Sequence, residues 1–527
     1  MQTKTEVALR PELIFALVGP AGVRLKGLSG QLKESLKTFQ YETSDISLSD
    51  LLAQFSGWTK ETDTTEYTRI KHRQNMGYAF RSKLNDGAAL ARAGIAAIRE
   101  KRASISGNPD SPASSHAYIV QQLKHPAEVD LLRQVYGSSF LLVAGHAPKA
   151  IRAKELSEQM AQKENLPGQG NQFRAKADEI IEIDEKQNDD LGQNTRDTYP
   201  QADFFANLGL PSGEYGLRRF VDLLFGHPFR TPSPEEYAMY QASAVSLRSS
   251  DHSRQVGAVI VSLSRDSAHK LTNADIIASG MNEVPRGGGG FYWDEDSPDG
   301  RDQHLIRYKD DDRATKIKLS ALAELIEKIR EKNWLNETAK GLQSNNLAST
   351  LLPSLRRTQF MDIGEFMRPV HAEMAALIDG ARRGVAVNGH TMYVTTFPCH
   401  NCAKHIIAAG LRKVVYLEPY PKSRADFLHG EEISLESIDG KEENGKVVFS
   451  AFSGIAPRQY RQVFAMSDRG AKRGHSLSQW DTTRLTLSPR YVSHNASLAY
   501  LAAERQELEK LPPDIYHWDK GALCPAT

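Results

Sequence analysis

His371, Glu373, Cys399 and Cys402 carry the clearest chemical pattern in this sequence. The chain reads His371-Ala372-Glu373 and, after an apolar run, Pro398-Cys399-His400-Asn401-Cys402. Two cysteines three residues apart at the opening of a helix turn both thiols to one face, and the helix N-terminus favours their thiolates. His371 opens another helix, and its neutral imidazole completes three protein ligands for Zn²⁺. Three ligands leave a fourth position for water, the arrangement of a catalytic zinc rather than a structural one. Zinc lowers the pKa of such a water to about 7. Glu373, two residues from His371, can move that proton without binding metal. One Zn²⁺ per chain is expected. A structural zinc with a fourth ligand elsewhere is the competing reading, but it has no use for Glu373.

The elements around these residues alternate strand and helix. The apolar run Leu13–Val18 reads as a strand ending in a Gly19-Pro20-Ala21-Gly22 turn. A helix over Ser29–Phe39, a long helix over Gly77–Arg99, strands at Ala117–Leu123 and Phe140–Ala144, and a helix from Pro126 to Tyr136 follow. Such alternation predicts a parallel sheet with helices on its faces. Residues 146–200 are polar and read as a mobile lid or a helical connector. From Pro232 a second pattern begins. It holds a helix Glu235–Ser249, strands Val256–Val261 and Asp275–Ser279, a helix His371–Arg383, a strand Thr391–Thr396, a helix Cys399–Ala409 and a strand Lys413–Leu417. About ninety residues inserted before His371 include an amphipathic helix with Ile317, Leu322, Leu325, Ile326 and Ile329. The expected fold class is α/β throughout, in three parts: residues 1–225, residues 230–480 with a helical insertion over about 290–365, and a tail from 481 to 527 carrying a helix near Tyr500.

The loop from Gly19 to Ser29 lies between a strand and a helix, the context in which backbone N–H groups cradle phosphate. Gly19, Gly22, Lys26 and Ser29 are its candidate nucleotide-binding residues. The pattern G-x-x-x-x-G-K-[ST] is met in neither register. Arg24 stands where the second glycine belongs when counting from Gly19, and Leu28 replaces the lysine when counting from Gly22. The loop is therefore expected to bind phosphate weakly and not to hydrolyse it.

The combination H-x-E…P-C-x-x-C is a zinc deaminase signature. At these residues the sequence resembles the deoxycytidylate deaminases of the cytidine deaminase superfamily, which implies an α/β/α sandwich. Ser249–Val261 resembles that family's first helix-to-strand junction, and Ser279–Arg286 its G-x-N-x-x-P loop. The resemblance implies that Asn282 holds the nucleotide sugar and that Arg254 approaches the phosphate. Arg286, on the other side of the loop, offers a second guanidinium to phosphate, and Tyr420 is placed against the pyrimidine. Residues 10–225, including Leu123-Lys124-His125-Pro126, resemble the P-loop kinase-like domain fused ahead of the deaminase in bacterial antiphage deoxycytidylate deaminases. That likeness implies conversion of dCTP and dCMP to deoxyuridine nucleotides, depletion of dCTP as antiviral defence, and an amino-terminal domain that restrains the activity. Expected partners are deoxycytidine nucleotides, a nucleotide effector at the amino-terminal domain, a regulatory RNA or protein inhibitor, and further copies of the chain in a homo-oligomer.

Composition narrows the alternatives. Lys and Arg number 66 against 65 Asp and Glu, a net charge of +1, which removes the simplest case for a surface that clamps nucleic acid. A polynucleotide-editing deaminase is thereby disfavoured against one acting on free nucleotides, and Arg469, Lys472 and Arg473 read as a solvated face. Intact Glu373 argues against a regulatory protein with a merely structural zinc. Three cysteines exclude a disulfide framework. No run approaches the length of a membrane span, so no membrane partner and a cytoplasmic location are expected.

Overall fold

Leu13–Val18 forms strand β1 with every residue buried, as a strand in the middle of a sheet covered on both faces must be. The computed structural model describes residues 10–59, 65–185, 187, 189–208, 212–265, 271–355, 358, 360, 364–418, 423–435, 445–465, 488–489, 499–512 and 515. The chain divides into two compact units. One comprises residues 1–240, 415–419 and 434–527, the other residues 241–414 and 420–433.

In the first unit β1, β2 (Glu42–Ser47), β3 (His116–Leu123), β4 (Phe140–His146) and β5 (Phe204–Asn207) run parallel in the order β5-β4-β1-β3-β2. The short strand Gly454–Ile455 adds antiparallel to β5. Leu28, Leu32 and Leu36 of helix α1 (Leu25–Lys37) pack with Phe15 and Leu17 in the main core. The long helix expected over Gly77–Arg99 is two: α2 (Glu66–Leu84) and α3 (Ala89–Ser106). The break is at Asn85, which takes a left-handed φ of 49° and caps α2. Asn-Asp-Gly is a stop signal that outweighs the Ala- and Leu-rich composition on both sides. After α4 (Pro126–Tyr136) the polar stretch is helical, with α5 (Lys149–Lys163) and α6 (Arg174–Glu185) closing a small core of Leu156, Met160, Ile180 and Ile181. Helix α7 (Ser212–Leu224) contributes Leu217, Phe220 and Val221 to the main core. The tail carries a helix at Ala499–Leu508 that packs on α3 and α4.

In the second unit β6 (Gly257–Arg265) pairs antiparallel with β7 (Leu271–Met281) and with β8 (Thr391–Thr396). The insertion is helical. Its main element α8 (Arg313–Glu331) buries Leu322 and Ile326 against Leu347 and Ala348, while Ile317 and Leu325 face outward. Helix α9 (Ala372–Arg383) packs on β7 and β6. The approach is close enough that a Cβ at Gly280 would meet the Ala376 nitrogen at 2.3 Å, so only glycine allows this seat. Helix α10 (His400–Ala408) follows β8, and within this unit the strands lie in the order β8-β6-β7; strand β9 (Lys413–Glu418) comes next in the chain. Among the described residues no helix is long and apolar enough to cross a membrane.

Candidate functional site

The fully buried strand β8 ends at Thr396 and delivers Pro398 and Cys399 to the mouth of α10. Cys399 is the extended N-cap of that helix, and Cys402 is buried in its first turn. His371 is the extended N-cap of α9. The expected juxtaposition of two helix starts is therefore present. His371 Nδ1 lies 3.4 Å from Cys399 Sγ and 3.3 Å from Cys402 Sγ, and the three candidate ligand atoms lie within 4.8 Å of one another. Tetrahedral zinc with Zn–N of about 2.0 Å and Zn–S of about 2.3 Å needs neighbouring donors roughly 3.5 Å apart. The cluster fits that demand in both donor chemistry and spacing.

The electrostatics suit a cation. The Cys399 thiol is lowered to about 4, first by its hydrogen bond with Cys402 and then by His371, against the opposing effect of burial. Cys402, next to that negative partner and buried, is pushed well up. One sulfur of the pair is thus readily a thiolate before any metal arrives. Glu373 is buried at the edge of the cluster, and burial, reinforced by the Cys399 charge, pushes its carboxyl up to about 7.

Around this centre lies a set of backbone clamps. Asn282 Oδ1 accepts from the Val256 N–H at 2.8 Å, and its Nδ2 donates to the Arg254 carbonyl at 2.8 Å. Its amide thus ties the end of β7 to the start of β6 and retains one N–H and one lone pair. Arg254 is exposed, and its Nη1 donates to Thr396 Oγ1 at 3.3 Å, three residues before Cys399. Glu283 had no role in the sequence reading. Its buried carboxylate accepts from Ser250 N–H at 2.9 Å and Ser250 Oγ at 2.7 Å. Its backbone forms a two-way bridge with Val370, the residue before His371. The available signal was a carboxylate directly after Asn282, in the same loop.

Arg286 has an acidic partner of its own. Its guanidinium pairs with Asp296 at 2.8 Å. It lines a cavity of about 780 Å³ shared with Arg248, Trp293 and Arg382, whose walls include none of His371, Glu373, Cys399, Cys402, Asn282 or Arg254. The loop's glycines turn the chain there: Gly288, Gly289 and Gly290 all have positive φ. Tyr420 and the basic group at 469–473 lie outside the described residues.

In the first unit Gly19, Gly22 and Lys26 line a cavity of about 860 Å³. Gly22 has a φ of +89°, and Lys26 is exposed. Ser29 is buried on α1 and donates to Asp45 Oδ1 at 3.0 Å.

Changing Cys399 or Cys402 to Ser is expected to strip the metal and lower the melting temperature together, because metal binding and local folding are coupled. Metal analysis that finds a full zinc per chain in both variants would defeat the ligand assignment.

Comparison with known proteins points the same way. Residues 232–418 match the family model described as the cytidine and deoxycytidylate deaminase zinc-binding region. The deoxycytidylate deaminase of Enterobacteria phage T4 is 40% identical over 78 residues, 14% of this chain and 40% of that protein. ComE operon protein 2 of Bacillus subtilis (strain 168) is 45% identical over 53 residues, 10% of this chain and 28% of that protein. This chain thus spans well under half the length of the curated relatives it matches. The crystal structure of dCMP deaminase from the cyanophage S-TIM5 in apo form aligns with 42% of this chain and 99% of that one, at 17% identity and a TM-score of 0.21, too low to carry an argument. The family match and the His-Cys-Cys geometry thus agree: residues 232–418 are similar to the cytidine and deoxycytidylate deaminase zinc-binding region, and the three candidate ligands lie within them.

Proposed function

We propose that this protein is a hydrolytic deaminase that converts deoxycytidine nucleotides to deoxyuridine nucleotides, using one Zn²⁺ held by His371, Cys399 and Cys402. The observation that carries this reading is the buried Glu373 carboxyl at the edge of a three-ligand cluster. Zinc, when bound, supplies Lewis acidity and an activated water. The chain's own groups do the rest. A carboxyl poised near neutrality both takes and gives protons at physiological pH. Glu373 holds a proton for N3 of the cytosine ring and then for the departing amino group on C4. Burial of Glu373 keeps bulk water from competing for that proton. The remaining N–H and lone pair of Asn282 suit a sugar hydroxyl, and exposed Arg254, anchored at the end of β8, offers its guanidinium to the phosphate.

Residues 1–225 are read as a P-loop kinase-like unit that restrains this activity, in a cytoplasmic homo-oligomer whose dCTP depletion serves antiviral defence. A nucleotide effector and a regulatory RNA or protein inhibitor are the partners this reading calls for. The parallel β5-β4-β1-β3-β2 sheet with a glycine-bearing loop after its central strand supports the assignment.

The test is a side-by-side kcat/KM for dCTP, dCMP, deoxycytidine and a cytosine-containing oligonucleotide. We expect dCTP ahead of dCMP, with deoxycytidine at least about a hundredfold poorer, since a substrate without phosphate forgoes the charge-assisted hydrogen bonds that an arginine gives it. Deoxycytidine matching either nucleotide refutes phosphate recognition. Turnover of the oligonucleotide alone replaces the reading with a polynucleotide editor.

A further inference from the structure

The chain enters β6 through the loop Ser249–Val256, whose residues 252–255, Arg254 among them, are exposed. A surface loop of this kind loses conformational entropy when a ligand orders it. Here both ends of the loop are held by two adjacent residues, Asn282 and Glu283. Asn282 fixes the end nearer β6, through the Val256 N–H and the Arg254 carbonyl. At the other end Ser249 Oγ donates to the Asn282 carbonyl at 2.6 Å. Gln255 Nε2 then closes the loop onto the Ser249 carbonyl at 2.7 Å.

Glu283 holds the next residue. One carboxylate oxygen accepts both the N–H and the Oγ–H of Ser250, and the other accepts the Val284 N–H at 2.8 Å. A carboxylate takes all three donors and strengthens them through its charge. An amide, with one oxygen and a donating NH2, cannot accept on both sides. Glu283 is 3% exposed, so it does not meet a ligand itself. Its influence runs through Ser250 to the loop. Arg254 is tied a second time, at its guanidinium, by the bond to Thr396 Oγ1.

We infer that Glu283 is a positioning residue for phosphate recognition: through Ser250 it latches the Ser249–Val256 loop, so that Arg254 meets the substrate's phosphate without the loop having first to be ordered. A contact made from a loop already in place keeps the affinity that ordering would otherwise consume. The latch therefore sets how strongly a nucleotide is preferred over its nucleoside, and leaves the base and sugar contacts to other residues. This rests on the proposed role of Arg254 at the phosphate, and adds what holds that role in place.

The experiment is calorimetric titration of the full chain with dUMP and with deoxyuridine, which carry no amino group to remove. Wild type is expected to bind dUMP at least about thirtyfold more tightly than deoxyuridine. Glu283→Ala should shrink that ratio at least about tenfold, and Ser250→Ala, which keeps the N–H bond, about threefold. Deoxyuridine binding should move less than dUMP binding in both. The double variant should lose no more than Glu283→Ala alone, since both changes act on one contact. Ser250→Ala removes a single hydroxyl from a half-buried position, so it decides the matter should Glu283→Ala lose its zinc or its fold. A ratio unchanged in Ser250→Ala and in folded Glu283→Ala, or fully additive losses in the double variant, would overturn the inference. So would no dUMP preference in wild type, or equal weakening of both ligands, the mark of a residue that only holds the fold. A dUMP preference that both variants lower, in a chain that does not deaminate dCMP, would instead tell against the deaminase reading alone.

Discussion

Glu373→Ala is expected to reduce kcat/KM for deoxycytidine nucleotides by at least about a hundredfold, and up to ten thousandfold, while each chain still retains its zinc. The two halves of that expectation come from different observations. The proposed metal ligands are His371, Cys399 and Cys402, whose donor atoms already sit at ligand spacing without the carboxylate. Glu373 contributes a proton carrier instead, since burial has pushed its carboxyl up to about 7. Folding should survive, because a carboxylate whose charge is disfavoured by burial contributes little that alanine lacks. Activity within tenfold of wild type would remove Glu373 from its role. Zinc lost along with activity would make it a ligand.

The second large effect concerns stability and lies far from the metal. Glu504, on the tail helix, is fully buried and accepts from Arg102 through two bonds at 2.7 and 2.8 Å, from Arg99 at 3.3 Å and from Tyr136 at 2.9 Å. Arg102 also pairs with Glu12 at 3.0 Å, and Glu12 accepts from Tyr118 and Tyr500. The two arginines are wholly buried. Glu504→Ala leaves Arg102 with Glu12 and Arg99 with Asp110, but it removes the carboxylate the two arginines share and strands their freed N–H groups and the Tyr136 hydroxyl, at about 1–3 kcal/mol for each buried group left unpaired. A fall in the melting temperature of about 10 °C is expected, together with faster proteolysis before Ala499. A variant melting within about 1 °C of wild type would show that the tail helix is not clamped by this cluster.

The local parts of this architecture were legible. A run such as Leu13–Val18 can only be a buried strand, and Gly384 and Gly410 mark helix ends, where both take left-handed conformations. The clustering of His371, Cys399 and Cys402 was legible for the same reason. Two of them are three residues apart and the third opens a helix, so short-range spacing sets most of the geometry. Composition misled once, at Asn85, where a three-residue stop signal cut an Ala-rich helix in two.

What the sequence alone determined, then, was whatever depends on neighbours within a turn or two of helix: most strands and helices, though not the polar β2 or the short β5, and the His-x-Glu and Cys-x-x-Cys pairs. What only the tertiary structure decided depends on residues brought together from far apart. The bridge from Glu283 to Val370 sets the start of α9, and the Asn282 amide is held by the backbone of Arg254 and Val256. Arg286 turned away to Asp296. Asp184 reached the Gly19–Gly22 turn from 163 residues on, and Glu504 reached Arg102 across 402 residues. Side-chain spacing has no memory of such distances. Which polar groups find partners there is settled by packing alone, since an unpaired buried group is too costly to leave except where a ligand completes it.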